Sequence, residues 1–411
     1  MSHPPGQRRV ALLLKSLGGG GVQRSMLQLA RGLVDCGAKL ELLVCRPVGA
    51  FRELVPPGVE VVPLPATPPL LGRLRVLATE PAAWRELLLP VLVPPVSAWH
   101  LRHLDALTRR LCEAPPDALV TSSTYLSLVA LWARDAAGAR TGVIVSERGN
   151  LSHHLFHGRR RFRMRLRHLV PLLRRVYPRA DAIVTVSDGV ARDLALHTRI
   201  PLERMETIYN PVVTPELETL ANEKPEHPWF EDGGAPIVLG AGRLVDQKDF
   251  PTLIQAVARL RRERPARLLI LGEGKRRAAL ESLARRAGLG DDFSVPGFTK
   301  NPFSFMARAS VFALSSAYEG LPGVLIQALA CGCPVVSTDC PDGPSEILEG
   351  GVYGPLVPVG DAVAMAAAIG EVLDDLPDRE SLRSRGRSFS LAAAAERWAE
   401  VIERAIEARP R

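Results

Sequence analysis

The sequence predicts an α/β protein made of two doubly wound, parallel-sheet domains. Three observations carry that prediction. Short apolar strands alternate with helical stretches along the chain; each half begins with a strand that runs into glycines and then a helix; and 411 residues are long for one core but suit two domains of roughly 150 to 200 residues. The expected divisions are 1–212 for the first domain, 213–390 for the second and 391–411 for a terminal helix.

In the first half, Arg9 to Leu14 reads as a buried strand and Lys15 to Gly21 as a glycine loop. Val22 to Cys36 follows as a helix with Met26, Leu29, Leu33 and Val34 on one face. The glycines lack the spacing of a dinucleotide fingerprint, so phosphate contact through Gly20 and Gly21 stands beside a plain tight turn. Further strands are expected at Lys39 to Cys45, Val59 to Pro63, Ala118 to Ser122, Gly142 to Ser146 and Ala182 to Ser187. Ala66 to Pro116 is less regular, rich in Pro and Leu, and reads as a variable ligand-facing segment or an irregular connection.

Ser146 to Asn150 closes a buried strand, where open α/β sheets place ligands, which makes Arg148, Asn150, His153 and His154 candidates for polar-ligand contact. Gly158 to Arg179 has Phe162, Leu166, Leu169, Leu173 and Val176 at helical spacing among many arginines, with a kink expected near Pro171. It reads either as a packing helix with a solvated arginine face or, through Arg159 to Arg175, as a surface for an anionic membrane.

Thr214 to Pro236, polar and containing proline, reads as the interdomain linker. The strand Ile237 to Leu239 then runs into Gly240-Ala241-Gly242-Arg243, with Lys248 just before a helix from Phe250 to Arg264. Two cations at a strand's C-terminal end can neutralise a bound anion. Strands at Arg267 to Leu271 and Phe293 to Val295 end in glycine-containing turns, the second followed by Phe298, a ligand contact or a core residue.

The most informative stretch follows the buried strand Val311 to Leu314. It ends in Ser315-Ser316-Ala317-Tyr318-Glu319-Gly320-Leu321, and Pro322 is expected to open an apolar helix where a missing N–H costs nothing. The N–H groups of Gly320, Leu321, Gly323 and Val324 would be unpaired there and, with the helix dipole, would favour an anion such as a diphosphate. Glu319 on the lip would accept hydrogen bonds from hydroxyls. Diphosphate on one side and hydroxyls on the other suggest a nucleotide sugar.

Glu319, seven intervening residues, Gln327 and then Ala-Leu-Ala-Cys-Gly-Cys-Pro-Val-Val-Ser-Thr-Asp together resemble the Glu-x7-Glu signature of the retaining glycosyltransferases of family four. The resemblance covers nearly the whole chain and is strongest from about Ile237 to Ile347. It implies the GT-B fold, in which two Rossmann-like domains face a central cleft and the last helix crosses back to the N-terminal domain. It implies catalytic roles for Glu319, Arg243 and Lys248, and donor binding by Gly20, Gly21, Phe298, Gly320, Leu321, Pro322, Gly323, Val324 and Gln327. Arg148, Asn150, His153 and His154 would contact acceptor or sugar, and Ala66 to Pro116 would face the acceptor. Asp342-Gly343-Pro344-Ser345-Glu346-Ile347 resembles a bacterial subgroup that extends lipid-linked or capsular glycans. The second carboxylate of the signature is Gln327 here, which keeps one carbonyl acceptor and adds donors.

Composition narrows the rest. A hydrophobic fraction of 46% and a charged fraction of 23% are those of a globular protein, not a disordered one. The net charge of +8, carried mostly by Arg, could serve nucleic acid, an anionic membrane or anionic substrates, and composition alone does not choose among them; under the family resemblance no nucleic acid partner is expected. Six scattered cysteines without zinc-like spacing read as reduced and mostly buried, which fits the cytoplasm. Met1 to Arg9 has no apolar region of a secretory signal, and prolines interrupt the two longest charge-free stretches, so a soluble or peripheral protein at the inner membrane face is expected. No Asp-x-Asp triplet is present, and neither metal nor cofactor is expected beyond the nucleotide-sugar substrate.

The activity expected is retaining transfer of a hexose or N-acetylhexosamine, most simply from a UDP-sugar, to a hydroxyl of a lipid-linked or polysaccharide acceptor. The alternatives are a noncatalytic sugar-binding or partner subunit, which loss of the second Glu favours, and a nucleotide-sugar epimerase. Product analysis with and without acceptor separates the three. If Gln327 fills the ribose-binding position, Gln327→Glu should be tolerated and should change donor KM while leaving acceptor KM as it was, because a carboxylate is the better acceptor for two vicinal hydroxyls.

Overall fold

A computed structural model of the chain describes residues 8–18, 20–92, 98–152, 169–231 and 233–409. The chain divides into two compact units, Met1–Pro211 with Leu391–Arg411, and Val212–Ser390.

The sheet of the first unit has seven strands in the order β3-β2-β1-β4-β5-β6-β7. These are β1 (Arg9–Ser16), β2 (Lys39–Arg46), β3 (Glu60–Pro63), β4 (Ala118–Thr121), β5 (Gly142–Glu147), β6 (Ala182–Thr185) and β7 (Met205–Thr207). All neighbours pair in parallel, with Leu12 beside Leu42 on one side and Val120 on the other. Central strands of such a sheet are covered on both faces, which is why they read as unbroken apolar runs. Strand order reverses between β1 and β4, so the glycine loop after β1 opens at a switch point.

The terminal helix Leu391–Glu407 belongs to this unit: its Trp398, Val401, Ile402 and Ala405 share a core with Leu12, Met26, Leu29 and Leu42. Two glycines permit that approach. A Cβ on Gly32 would lie 2.7 Å from that of Ala395, and one on Gly142 would lie 2.6 Å from the Ala405 carbonyl oxygen.

The second unit has six parallel strands in the order β10-β9-β8-β11-β12-β13. They are β8 (Ile237–Ala241), β9 (Arg267–Leu271), β10 (Phe293–Gly297), β11 (Val311–Leu314), β12 (Val335–Thr338) and β13 (Leu356–Val357). Its switch point lies between β8 and β11, which sets the loop carrying Arg243 and Lys248 beside the loop carrying Glu319.

Several expectations need correction. Thr214 to Pro236 is not a bare linker: Glu216–Asn222 is a helix with Leu217 buried. Its C-terminal carbonyls are capped by other parts of the second unit, Leu220 by Asn301 and Ala221 and Asn222 by Arg308. Phe230 stacks edge-on to Phe305. The segment's polarity reflects a surface-lying belt, which sequence cannot tell from a linker. Ala66 to Pro116 is largely helical where described, with helices at Pro69–Thr79, Trp84–Leu87 and Leu104–Glu113, and with Pro69 and Pro81 at the starts of helical turns. The short strands β7 and β13 had no periodic signal.

Of the basic stretch, residues 153–168 lie outside the described residues. Beyond them, residues 169–176 are helical, and Leu169, Leu172, Leu173 and Val176 are buried. Arg175 pairs with Glu80, and Arg179 pairs with Glu80 and Asp135. This end of the stretch therefore packs and makes internal ion pairs.

Trp398 is 2% exposed in the core that joins the terminal helix to its sheet. Trp398→Ala should cost about 3–5 kcal/mol, measured as a lower urea midpoint for loss of the first unit's structure.

Candidate active site

The second unit gathers most of the expected residues. β11 is a fully buried strand that delivers Ser315 and Ser316 to its C-terminal end, still buried, before the chain turns out to Glu319. Lys248 Nζ lies 2.6 Å from Glu319 Oε1, with side chains only 13% and 10% exposed, and Ser316 Oγ donates to the same oxygen at 2.7 Å. Lys248 was expected to serve a diphosphate directly; here one of its three N–H donors is committed to Glu319, leaving two for another anion.

The two loops are stitched together along their length. Ser315 Oγ donates to the Lys248 carbonyl at 2.8 Å, the Ala317 amide to the Gln247 carbonyl at 2.9 Å, and Gln247 Nε2 to the Tyr318 carbonyl at 3.1 Å. From beneath, Thr338 Oγ1 donates to the Ser316 carbonyl at 2.7 Å. Sequence reasoning missed Gln247, Ser315, Ser316 and Thr338. The available signal was the run of small polar residues at strand ends, which can close onto a neighbouring loop without bulk.

Glycines set the approach of these loops. Gly242 has φ +152°, and a Cβ there would lie 2.9 Å from Lys248 Cε, so the lysine stem crosses that position. Arg243 is exposed and close enough to Tyr318 to lower its pKa, against the rise imposed by burial and by Glu319.

After Glu319 the backbone amides of Gly320, Leu321, Gly323 and Val324 donate to no other described group. The helix begins at Gly323, with Pro322 as its N-cap at φ −72°, ψ 90°, one position later than expected. An extended ψ excludes Pro322 from the helix, and its missing N–H costs nothing at either position. The turn at Asp342 and Gly343 supports this loop: a Cβ on Gly343 would lie 2.9 Å from the Gly320 carbonyl oxygen and 2.6 Å from Pro322 Cδ. Gln327, on the first turns of the helix, is partly exposed. Phe298 is 71% exposed just beyond β10, so it is not a core residue. Three strand spacings separate β10 from β11, roughly 14 Å, the scale on which a nucleotide extends from its phosphates.

In the first unit, Gly20 caps the helix Gly21–Asp35 in an extended conformation, and the amides of Gly21, Val22 and Gln23 donate to no described group. Arg148, just past β5, donates through Nη1 to Asn210 Oδ1 at 2.7 Å and to Ser25 Oγ at 3.0 Å. It has no carboxylate partner among the described residues, its Nε is buried without a hydrogen bond, and burial draws its pKa down to about 10. A cation held only by neutral groups is electrostatically prepared for an anion. Asn150 is partly exposed in the adjoining turn. His153 and His154 lie outside the described residues.

Glu147, one residue before Arg148, points into the core, accepting from the Tyr177 hydroxyl and from Thr124 Oγ1 at 2.9 Å. Burial raises its pKa to about 7, against these two hydrogen bonds.

Residues 235–375 match the family model of the glycosyl transferases group 1, and residues 20–211 match that of the glycosyl transferase 4-like domain. The N-acetylgalactosamine-N,N'-diacetylbacillosaminyl-diphospho-undecaprenol 4-alpha-N-acetylgalactosaminyltransferase of Campylobacter jejuni is 32% identical over 221 residues, 54% of this chain and 58% of that protein. The lipopolysaccharide core biosynthesis glycosyltransferase LpsE of Rhizobium meliloti is 35% identical over 173 residues, 41% of this chain and 50% of that protein. The chain thus spans about half the length of these curated relatives. Among solved structures, the lipopolysaccharide outer core galactosyltransferase WaaB superposes with a TM-score of 0.71 at 17% identity, over 96% of this chain and 99% of that one. HepE of Anabaena in complex with UDP gives 0.72 at 18%, with the same coverage.

Because Glu147 binds its proton more tightly in the folded chain, stability should fall as pH rises from about 4.5 to about 7, by about 3 kcal/mol in order of magnitude. Glu147→Gln should flatten that slope when urea midpoints of the two proteins are compared across this range.

Proposed function

The chain belongs to the group 1, family-four-like glycosyltransferases with the GT-B fold, and on that premise we propose that it is a retaining transferase of a hexose or N-acetylhexosamine. The donor is a nucleoside diphosphate sugar, and the acceptor is a hydroxyl of a lipid-linked or polysaccharide glycan. One observation carries this reading: Glu319 stands between a lysine and a row of unpaired backbone amides, so sugar hydroxyls and phosphate oxygens each meet a partner of the right sign. The UDP bound to HepE supports a uridine donor, and the undecaprenol diphosphate in the Campylobacter relative's name supports a lipid-linked acceptor.

The residues suggest the division of labour. The amides of Gly320, Leu321, Gly323 and Val324, Arg243 and the two remaining N–H donors of Lys248 would stabilise the negative charge that grows on the leaving diphosphate. Glu319, oriented by Lys248 and Ser316, would accept from ring hydroxyls and hold the anomeric carbon in place. The bond from that carbon to the phosphate oxygen breaks, the bond to the acceptor oxygen forms on the same face, and the acceptor's proton passes to the departing diphosphate. Arg148 and the helix end at Gly21 are proposed contacts for the anionic part of donor or acceptor. No resident metal or cofactor enters this scheme. Gln327 in place of the second Glu favours the alternative of a sugar-binding subunit without activity.

A thermal-shift screen against UDP-, GDP- and ADP-sugars should identify the donor, since a ligand that binds the folded state raises Tm. With it in hand, Glu319→Gln should reduce transfer by roughly 10²-fold or more while nucleoside diphosphate affinity changes little, and Arg243→Ala should lower turnover by about 10²-fold. The product should keep the donor's anomeric configuration. An inverted product would overturn the mechanism, and binding without any transfer would leave the subunit reading.

A further inference from the structure

One arginine of the first unit lacks what its buried neighbours have. Arg134, whose side chain is 2% exposed, pairs with Asp135 and Asp181, and Arg110 and Arg8, each at 17%, pair with Glu41 and Glu403. An uncompensated charge is costly away from water, so a withdrawn arginine ordinarily rests on a carboxylate. Arg148 rests on neutral groups. It is partly exposed, and its Nη1 donates to Asn210 Oδ1 and to Ser25 Oγ, while the neighbouring carboxylate, Glu147, is turned away to Tyr177 and Thr124. Ser25 Oγ also donates to Asn210 Oδ1, at 2.8 Å, so the three side chains close a ring that holds the guanidinium in one orientation.

Ser25 lies on the second turn of the helix Gly21–Asp35, which sets the guanidinium near the positive end of a helix dipole whose first amides donate to no described group. Two positive centres side by side call for an oxyanion. With Nη1 engaged, the edge formed by Nε and Nη2 has no partner among the described residues, and that edge meets a carboxylate or phosphate through two parallel hydrogen bonds. The place is the carboxyl end of β5, where open α/β sheets take their ligands. On the transferase reading above, on which this inference rests, the donor's diphosphate meets the amides, Arg243 and Lys248 of the second unit. We propose that Arg148 selects an acidic sugar substrate, binding an oxyanion other than that diphosphate: the carboxylate of a hexuronic acid as the transferred sugar, or a phosphate on the acceptor. A neutral hydroxyl could accept the same hydrogen bonds but would leave the charge uncompensated.

Calorimetric titration of the full chain with two pairs of probes tests this, the members of each pair differing chiefly in one acidic group. The pairs are UDP-glucuronate with UDP-glucose, and N-acetylglucosamine 1-phosphate with methyl N-acetylglucosaminide; UDP alone reports on the second unit. In one pair the acidic member should bind about tenfold or more tightly than the neutral one. Arg148→Gln should abolish that preference, and Arg148→Lys, which keeps the charge without the planar fork, should restore part of it. A preference in the first pair assigns the oxyanion to the transferred sugar, and one in the second pair assigns it to the acceptor. Circular dichroism and thermal unfolding check that the variants fold. No preference in either pair, or one that survives Arg148→Gln, would overturn the proposal. So would an equal loss of affinity for UDP in that variant, which would give Arg148 to the donor's diphosphate. A wild-type chain that binds neither UDP nor a UDP-sugar counts instead against the uridine donor of the transferase reading, and the phosphate pair then decides this one.

Discussion

The ion pair between Lys248 and Glu319 is the contact on which the second unit's site depends. Both side chains are largely withdrawn from water, so each charge would be costly without the other, by several kcal/mol in order of magnitude. The lysine ends the loop after β8 and the glutamate ends the loop after β11, and the pair therefore spans the point where strand order reverses. Hydrogen bonds from Ser315, Ala317 and Gln247 repeat that connection through the backbone. The carboxylate is consequently held in one place before any ligand arrives, as the positional role proposed for it requires.

Backbone proximity accounts for the glycines around this pair. Gly272 lies so close to Gly242 that an added Cβ would come 1.9 Å from the Gly242 carbonyl oxygen, and one on Gly274 would lie 2.5 Å from that of Leu244. The turns after β8 and β9 therefore nest, and Arg243 is thrown outward while Lys248 folds back across Gly242. One loop thus supplies an exposed cation and a partly buried one, a division that their spacing alone does not reveal.

In the first unit, two adjacent residues at the end of β5 show how the strand period separates roles. Glu147 enters the core against Tyr177 and Thr124, and Arg148 turns toward Ser25 and Asn210. They do not neutralise each other. The carboxyl is left in a medium that favours its proton, and the guanidinium is left without a counter-charge near the amino end of a helix. Neighbouring side chains on one strand end are in this way turned to different surroundings.

The sequence by itself determined the two-sheet architecture, because apolar strands and glycine turns are local signals repeated many times. It also singled out Glu319, Arg243, Lys248 and the amide-rich turn before the helix as candidates, from residue type, position after a strand and the family signature they resemble. Tertiary structure decided what those groups touch. That Lys248 is bound to Glu319, that Ser316 shares the same oxygen, and that Asn210 receives Arg148 across 62 residues of sequence are results of strand order, which no local window contains. It also decided that Glu216–Asn222 packs on its unit instead of linking two, and that Arg148 rests on neutral side chains while Glu147 turns away. Residue type shows that an arginine carries a charge; only the fold shows whether a counter-charge lies beside it.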